Sequence, residues 1–298
     1  MKIFKIANGV MEKLKDHKTA VAISKDRLLS SSGMVLLTVL AVINPWVFIV
    51  VILALTIGGL YEFFYMIKKK GVPIYSYVGI FIGVLIPLSI YYSFELTKNW
   101  ELLFIVLAFL LIFLLQLGRN DNSNATMGIS VTSFGILYVS WFFSFLIKIR
   151  FLLPGDEGVK LLAFIVLVTK VGDIGALLVG SRFGKHPLFP RISPNKTVEG
   201  ALGSFFFSIV AAVLCRSWLP EQPPFPVIQV ALMGAFFGCM GQLGDIYESL
   251  IKRDCQVKDS GRLLPGMGGV LDVIDSLLFT APAFYLYMSA TLNTVYKM

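Results

Sequence analysis

The chain has 298 residues, of which 56% are hydrophobic and only 15% charged, and its formal net charge is +8. A mean hydropathy of +0.79 argues against an ordinary soluble domain, which would expose too much apolar surface. The positive balance does not read as nucleic-acid binding, because no long basic helix face and no interleaving of bases with aromatics accompanies it; basic residues flanking membrane spans explain it better. Three cysteines without CxxC spacing (Cys215, Cys239, Cys255) and two distant histidines (His17, His186) argue against a disulfide framework and a zinc centre.

In chain order, residues 1–27 come first, a lysine-rich stretch in which Phe4, Val10, Met11 and Leu14 give the pattern of a helix lying on an anionic leaflet. This leader is too long, and lacks a small-residue cleavage site, for a signal peptide. A crossing helix needs roughly 20 apolar residues. Nine such segments follow, near 28–43, 46–66, 74–94, 100–117, 127–147, 159–180, 200–219, 227–250 and 273–292, the first two parted by Asn44-Pro45. The expectation is an all-α polytopic membrane protein of about nine transmembrane helices. It has a single membrane-embedded catalytic domain over 28–298, with its active-site half at about 159–292. Of the Lys and Arg residues, 19 fall on the side of the N-terminus and five on the other, so the N-terminus is predicted to be cytoplasmic.

Charges inside spans are costly and mark function. In the eighth span, Asp245, Ser249 and Lys252 share a helix face, and Glu248 beside them is spaced for an ion pair with Lys252. The ninth span opens GMGGVLDVIDS, with Asp272 and Asp275 on one face behind Gly266, Gly268 and Gly269. Carboxylates suit Mg²⁺, which takes one or two of them together with substrate phosphates, and glycines let backbone N–H groups approach a polyphosphate. Between these helices lie Lys252, Arg253, Lys258 and Arg262, a solvated ion-pair mesh or a phosphate clamp. The preceding cytoplasmic loop, SRFGKHPLFPRISPNKTVEG, supplies Arg182, Lys185, Arg191 and Lys196, with Lys170 and Asp173 just upstream and Glu199 at the start of the next helix. Together these features suit phosphoryl or nucleotidyl transfer between a soluble nucleotide and a lipid phosphate.

The run Ser249-Leu-Ile-Lys252-Arg253, then Lys258-Asp259, Leu264-Pro265-Gly266, Gly268-Gly269, Asp272 and Asp275 resembles the signature of the phosphatidate cytidylyltransferase, or CDP-diacylglycerol synthase, family. A second block from Asp173 and Gly180 through SRFGKH to SPNKTVEG, Ser193 to Gly200, resembles it too. The resemblance covers the C-terminal half in detail. Met267 and Val273 stand where the family usually carries His and Arg, which puts rate and substrate range in question more than reaction type. The resemblance implies that CTP and phosphatidate from the bilayer give CDP-diacylglycerol and pyrophosphate in phospholipid biosynthesis, at the cytoplasmic face of the inner membrane. It implies Mg²⁺ on Asp245, Asp272 and Asp275, a second cation such as K⁺ at the same cluster, and a homodimer. Asp245, Lys252, Asp272 and Asp275 are the candidate catalytic residues. Lys252, Arg253 and Lys258 are expected at phosphates, and Lys196 with Ser193 at the nucleotide or lipid headgroup. Lys185, Ser249, Asp259, Gly268 and Gly269 complete the candidate substrate-binding set.

Two other enzyme classes and a transporter compete. CDP-alcohol phosphotransferases need an Asp-Gly-x-x-Ala-Arg pattern that is missing here. A CTP-dependent lipid kinase of the polyprenol type would release CDP instead of pyrophosphate. A transporter commonly shows inverted repeats, whereas here the charged motifs gather at one membrane face and neither half resembles the other.

Overall fold

The structure is a computed structural model that describes residues 25–93, 100–120, 122–261, 263–264 and 268–296. The interfacial helix expected within residues 1–27 therefore lies almost wholly outside the described residues, as do Arg262, Pro265, Gly266 and Met267.

Local chemistry sets the helix boundaries. Asn44 separates α1 (Lys25–Ile43) from α2 (Pro45–Lys69): its Oδ1 accepts from Trp46 N at 2.9 Å and Val47 N at 3.3 Å, and Pro45 takes the first helical position, where a missing N–H costs nothing. Next come α3 (Ser76–Ser93) and α4 (Trp100–Leu117). α5 (Ala125–Arg150) contains a π-helical stretch at Ile136–Trp141. α6 (Asp156–Phe183) leads into a small antiparallel hairpin of β1 (Pro187–Phe189) and β2 (Ser193–Thr197). Thr197 then caps α7 (Val198–Leu214) by accepting from Gly200 N at 3.1 Å. A single 3-10 turn at Arg216–Trp218 leads on to α8 (Val227–Asp254) and α9 (Val270–Tyr296).

The expected all-α class holds, apart from the hairpin in the 181–199 loop, and each expected apolar segment coincides with a helix. Among the described residues, five helices are long and apolar enough to cross a membrane: α2, α5, α6, α8 and Val270–Thr294 of α9. Four further apolar helices are shorter. α7 stops at Leu214, short of the expected 219, and α9 begins at Val270, before the expected 273, so Asp272 lies in its first turn.

α6 packs along α7, α7 along α8 and α8 along α9, while α9 also meets α2 and α5. The α6–α7 crossing is lined by small residues, with Gly172 facing Ser204 and Ser208, the kind of surface that lets membrane helices approach closely. α9 is the central post: Leu271, Leu278, Ala281, Phe284 and Met288 are fully buried. At one end of the bundle, Lys70 pairs with Asp254 at 2.6 Å and fastens the end of α2 to the end of α8. The charged motifs therefore meet where α2, α8, α9 and the hairpin converge.

Candidate active site

α8 and α9 come together backbone to backbone at Gly244. A Cβ there would lie 3.2 Å from both Asp275 C and Ser276 Cα and would press on the Asp275 carbonyl oxygen. Glycine thus permits the contact that brings acids on two helices into one cluster. Asp245 and Glu248 from α8 and Asp275 from α9 offer carboxylate oxygens that all lie within 4.8 Å of one another. Glu248 is fully buried and Asp275 is 6% exposed. Glu248 Oε1 is buried without a hydrogen-bond partner.

Asp272 is oriented differently. Its Oδ1 is 2.5 Å from Lys252 Nζ, and its Oδ2 accepts from Gly269 N at 2.8 Å, Ser260 Oγ at 2.9 Å and Ser260 N at 3.3 Å. Lys252 also pairs with Glu248 Oε2 at 2.7 Å, so the expected Glu248–Lys252 ion pair is present and hangs on the edge of the acid cluster. The signature loop returns on itself through mutual 3.1 Å hydrogen bonds between Leu264 and Gly268. Gly268 has φ +96, a conformation that suits glycine, and this turn aims Gly269 N at Asp272.

The hairpin brings in another cation. Lys196 Nζ lies 2.7 Å from Asp245 Oδ1, an ion pair. Arg253 holds the hairpin from α8, donating from Nε to Ile192 O at 3.1 Å. Glu199 lies in the first turn of α7, as expected, and its carboxylate also reaches back to the loop: it accepts from Lys185 N at 3.1 Å and His186 N at 3.2 Å and lies 2.6 Å from the His186 ring.

Behind the acids, α6 is bonded to α9. Lys170 Nζ pairs with Asp173 Oδ2 at 3.0 Å and donates to Val273 O and Ser276 Oγ, both at 2.9 Å, and Ser276 Oγ donates to Asp173 at 2.9 Å. Ser276 N donates to Asp275 Oδ1 at 2.6 Å. The Lys170–Asp173 pair is thus both an internal ion pair and a support for the segment that carries Asp275.

Of the candidate residues, Asp245, Asp275, Asp272, Lys252, Lys196 and Gly269 come together here. Ser249 is buried on α8 and Ser193 is half-buried at the start of β2. Arg253 ties the hairpin, while Lys185, Lys258 and Asp259 are exposed on the two loops, and none of their described contacts reaches the acid cluster. Sequence reasoning passed over Glu62, which is 2% exposed on α2 and bonded to Ser260 Oγ and Leu271 N. The signal was available: Glu62 is an acid inside an apolar run, the same mark that singled out Asp245. Tyr138 was also missed. It lies on the π-helical stretch of α5, its ring meets Tyr247 edge-on at 5.6 Å, and its hydroxyl is buried without a partner.

Carboxylates, lysines and closely approaching glycines packed against apolar helices can hold a divalent cation and polyphosphate beside a lipid. Residues 25–291 match the cytidylyltransferase family. A phosphatidate cytidylyltransferase of Bacillus subtilis is 33% identical over 250 residues, covering 84% of this chain and 91% of the relative. The uncharacterized protein YnbB of Escherichia coli is 41% identical over 131 residues, 44% of this chain and 43% of that protein. A phosphatidate cytidylyltransferase of Staphylococcus aureus is 36% identical over 179 residues, 60% of this chain and 65% of that protein. Since the family match runs from α1 through the acid cluster and most of α9, this chain belongs to the cytidylyltransferase family.

Proposed function

We propose that this chain is a phosphatidate cytidylyltransferase, converting CTP and phosphatidate to CDP-diacylglycerol and pyrophosphate. The observation that carries this reading is the convergence of Asp245, Glu248 and Asp275 from two membrane helices, within a chain whose Bacillus subtilis relative bears that name.

The donor set fits a hard divalent cation. Four carboxylates (Asp245, Glu248, Asp272, Asp275) face two ammonium groups (Lys196, Lys252), so two negative charges remain for a divalent ion to balance. The buried, unpartnered Glu248 Oε1 is the kind of atom a ligated ion would satisfy. Asp245, Glu248 and Asp275 would hold Mg²⁺. Asp272, whose oxygens are taken by Lys252, Ser260 and Gly269, is less suited than Glu248 to be the third ligand. A bound divalent ion would supply charge neutralisation and alignment of phosphate oxygens.

In the reaction, a phosphatidate phosphate oxygen forms a bond to the α-phosphorus of CTP while the bond from that phosphorus to the bridging oxygen of pyrophosphate breaks. The attacking oxygen is already ionised near neutral pH, so the protein's task is positioning and electrostatic stabilisation. Lys196 and Lys252 stand at the acids, where they can pair with phosphate oxygens. Ser193 and Arg253 lie on or against the hairpin that delivers Lys196. The apolar helices around the cluster let the lipid substrate arrive from the bilayer.

The reading includes nine crossings, the five long helices and four shorter apolar ones, in the inner membrane. The Lys/Arg bias supports a cytoplasmic N-terminus and active site. It also includes a second cation such as K⁺ at the cluster and a homodimer. The test is a detergent assay with CTP labelled at the α- or γ-phosphate. Cytidylyl transfer puts the α-label into lipid and the γ-label into pyrophosphate, and EDTA stops both; γ-label in the lipid with CDP released means a lipid kinase.

A further inference from the structure

Glu62 joins the signature loop to the start of α9 through one oxygen. Its Oε2 accepts from Ser260 Oγ at 3.0 Å and from Leu271 N at 2.9 Å, on opposite sides of the segment linking α8 to α9. The contacts continue from Ser260 Oγ to Asp272 Oδ2 at 2.9 Å, from Asp272 Oδ1 to Lys252 Nζ at 2.5 Å, and from Lys252 Nζ to Glu248 Oε2 at 2.7 Å. An unbroken polar chain thus runs from α2 to the acid cluster. The loop fits closely around Glu62: a Cβ on Gly261 or Gly269 would collide with its carboxylate. Glu62 Oε1 is buried and unpartnered.

A carboxylate is a costly way to accept two hydrogen bonds inside a membrane bundle; a neutral glutamine offers an acceptor too. What glutamine does not reproduce is the strength of a charged acceptor in the competition for the Ser260 hydroxyl. That group has one proton and two carboxylates within reach. When Glu62 takes the proton, Asp272 is left with backbone donors and Lys252, and Lys252 is drawn toward Asp272. We infer that Glu62 is a positioning residue for the metal-binding acids: through Ser260 and Asp272 it keeps Lys252 drawn toward Asp272 and on the Oε2 oxygen of Glu248 alone, leaving Oε1 open to ligate. This inference rests on the reading of Asp245, Glu248 and Asp275 as a divalent-cation site.

In Glu62→Gln the amide oxygen must face Leu271 N, and as a neutral acceptor it competes less well for the Ser260 hydroxyl, whose proton turns to Asp272. The hold of Asp272 on Lys252 weakens, and Lys252 competes with the cation for Glu248. The experiment is Mn²⁺ binding to the full chain in detergent without nucleotide, read as loss of the free-ion paramagnetic resonance signal, alongside melting temperature. Glu62→Gln is expected to weaken Mn²⁺ binding about tenfold, the lower end of what outer partners of metal ligands cost. Ser260→Ala removes the contested hydroxyl, leaves Asp272 with backbone donors and Lys252 as in the wild type, and is expected to keep near-wild-type affinity, and the double variant to regain it. A purely structural role would lower melting temperature and leave Mn²⁺ affinity unchanged. Wild-type affinity in Glu62→Gln, or a double variant as weak as Glu62→Gln, overturns the inference. Should Glu62→Gln fail to fold, a tenfold loss in Ser260→Ala overturns it equally. A wild-type protein that binds no Mn²⁺ overturns the metal-site reading itself, and the role of Glu62 with it.

Discussion

Gly244→Ala is the smallest change that separates the helices carrying the acids. The added methyl carbon would start 3.2 Å from Asp275 C and Ser276 Cα and closer still to Asp275 O. Comfortable carbon contacts lie near 3.5–4.0 Å, so α9 must retreat on the order of 0.5–1 Å. Both obstacles are backbone, which no rotamer change can move aside. Overpacking of this kind costs about 1–3 kcal/mol of stability, and a displacement of about 1 Å at a reacting centre costs up to about 100-fold in rate. The assay is turnover of CTP and phosphatidate to CDP-diacylglycerol with purified protein, together with its melting temperature. The control is Gly33→Ala, where nothing lies within 4 Å of the added carbon. Expected are a turnover loss of tenfold or more and a lower melting temperature for Gly244→Ala, with the control unchanged. Wild-type turnover in Gly244→Ala would show that the close approach of α8 and α9 is not what sets the acids.

Asp245→Asn and Asp275→Asn are each expected to abolish Mg²⁺-dependent product formation while the protein stays in the membrane, and purified variants with near-normal turnover would refute the ligand assignment. Asp272→Asn breaks the 2.5 Å pair with Lys252, a charge-assisted contact worth about 1.5–3 kcal/mol, so a fall in melting temperature should accompany its loss of activity. Lys196→Met is expected to raise KM for CTP about tenfold, the equivalent of about 1.4 kcal/mol, and an unchanged KM would place Lys196 outside the nucleotide's reach. Val273→Arg is expected to be tolerated, because Val273 is only half-buried and it is its backbone carbonyl that serves Lys170; outright loss of activity would mean that the pocket is arranged differently there.

The helices were legible because their apolar runs are punctuated by local chemistry such as the Asn44 cap. The hairpin was not, because Ser193–Thr197 lacks strand-forming character and is held by tertiary contacts from Arg253 and Glu199. Helix spacing shows which residues share a face, and that was enough to single out Asp245 and Asp275. It does not say where a carboxylate turns, so the bonds of Asp272 to Lys252 and Ser260 could not be read from spacing. Glu248 read as half of an ion pair, and only the approach of α9 shows its second neighbour, Asp275. Glu62 reaches Ser260 across 198 residues of sequence, a pairing no local pattern carries.

The arrangement on which all of this depends is a divalent ion shared by α8 and α9, and anomalous scattering from Mn²⁺-soaked crystals locates such an ion directly. A peak bounded by Asp245, Glu248 and Asp275, lost in Asp275→Asn, is the expected result. A peak on Asp272 away from Glu248, or no peak among these carboxylates in an active preparation, would contradict it.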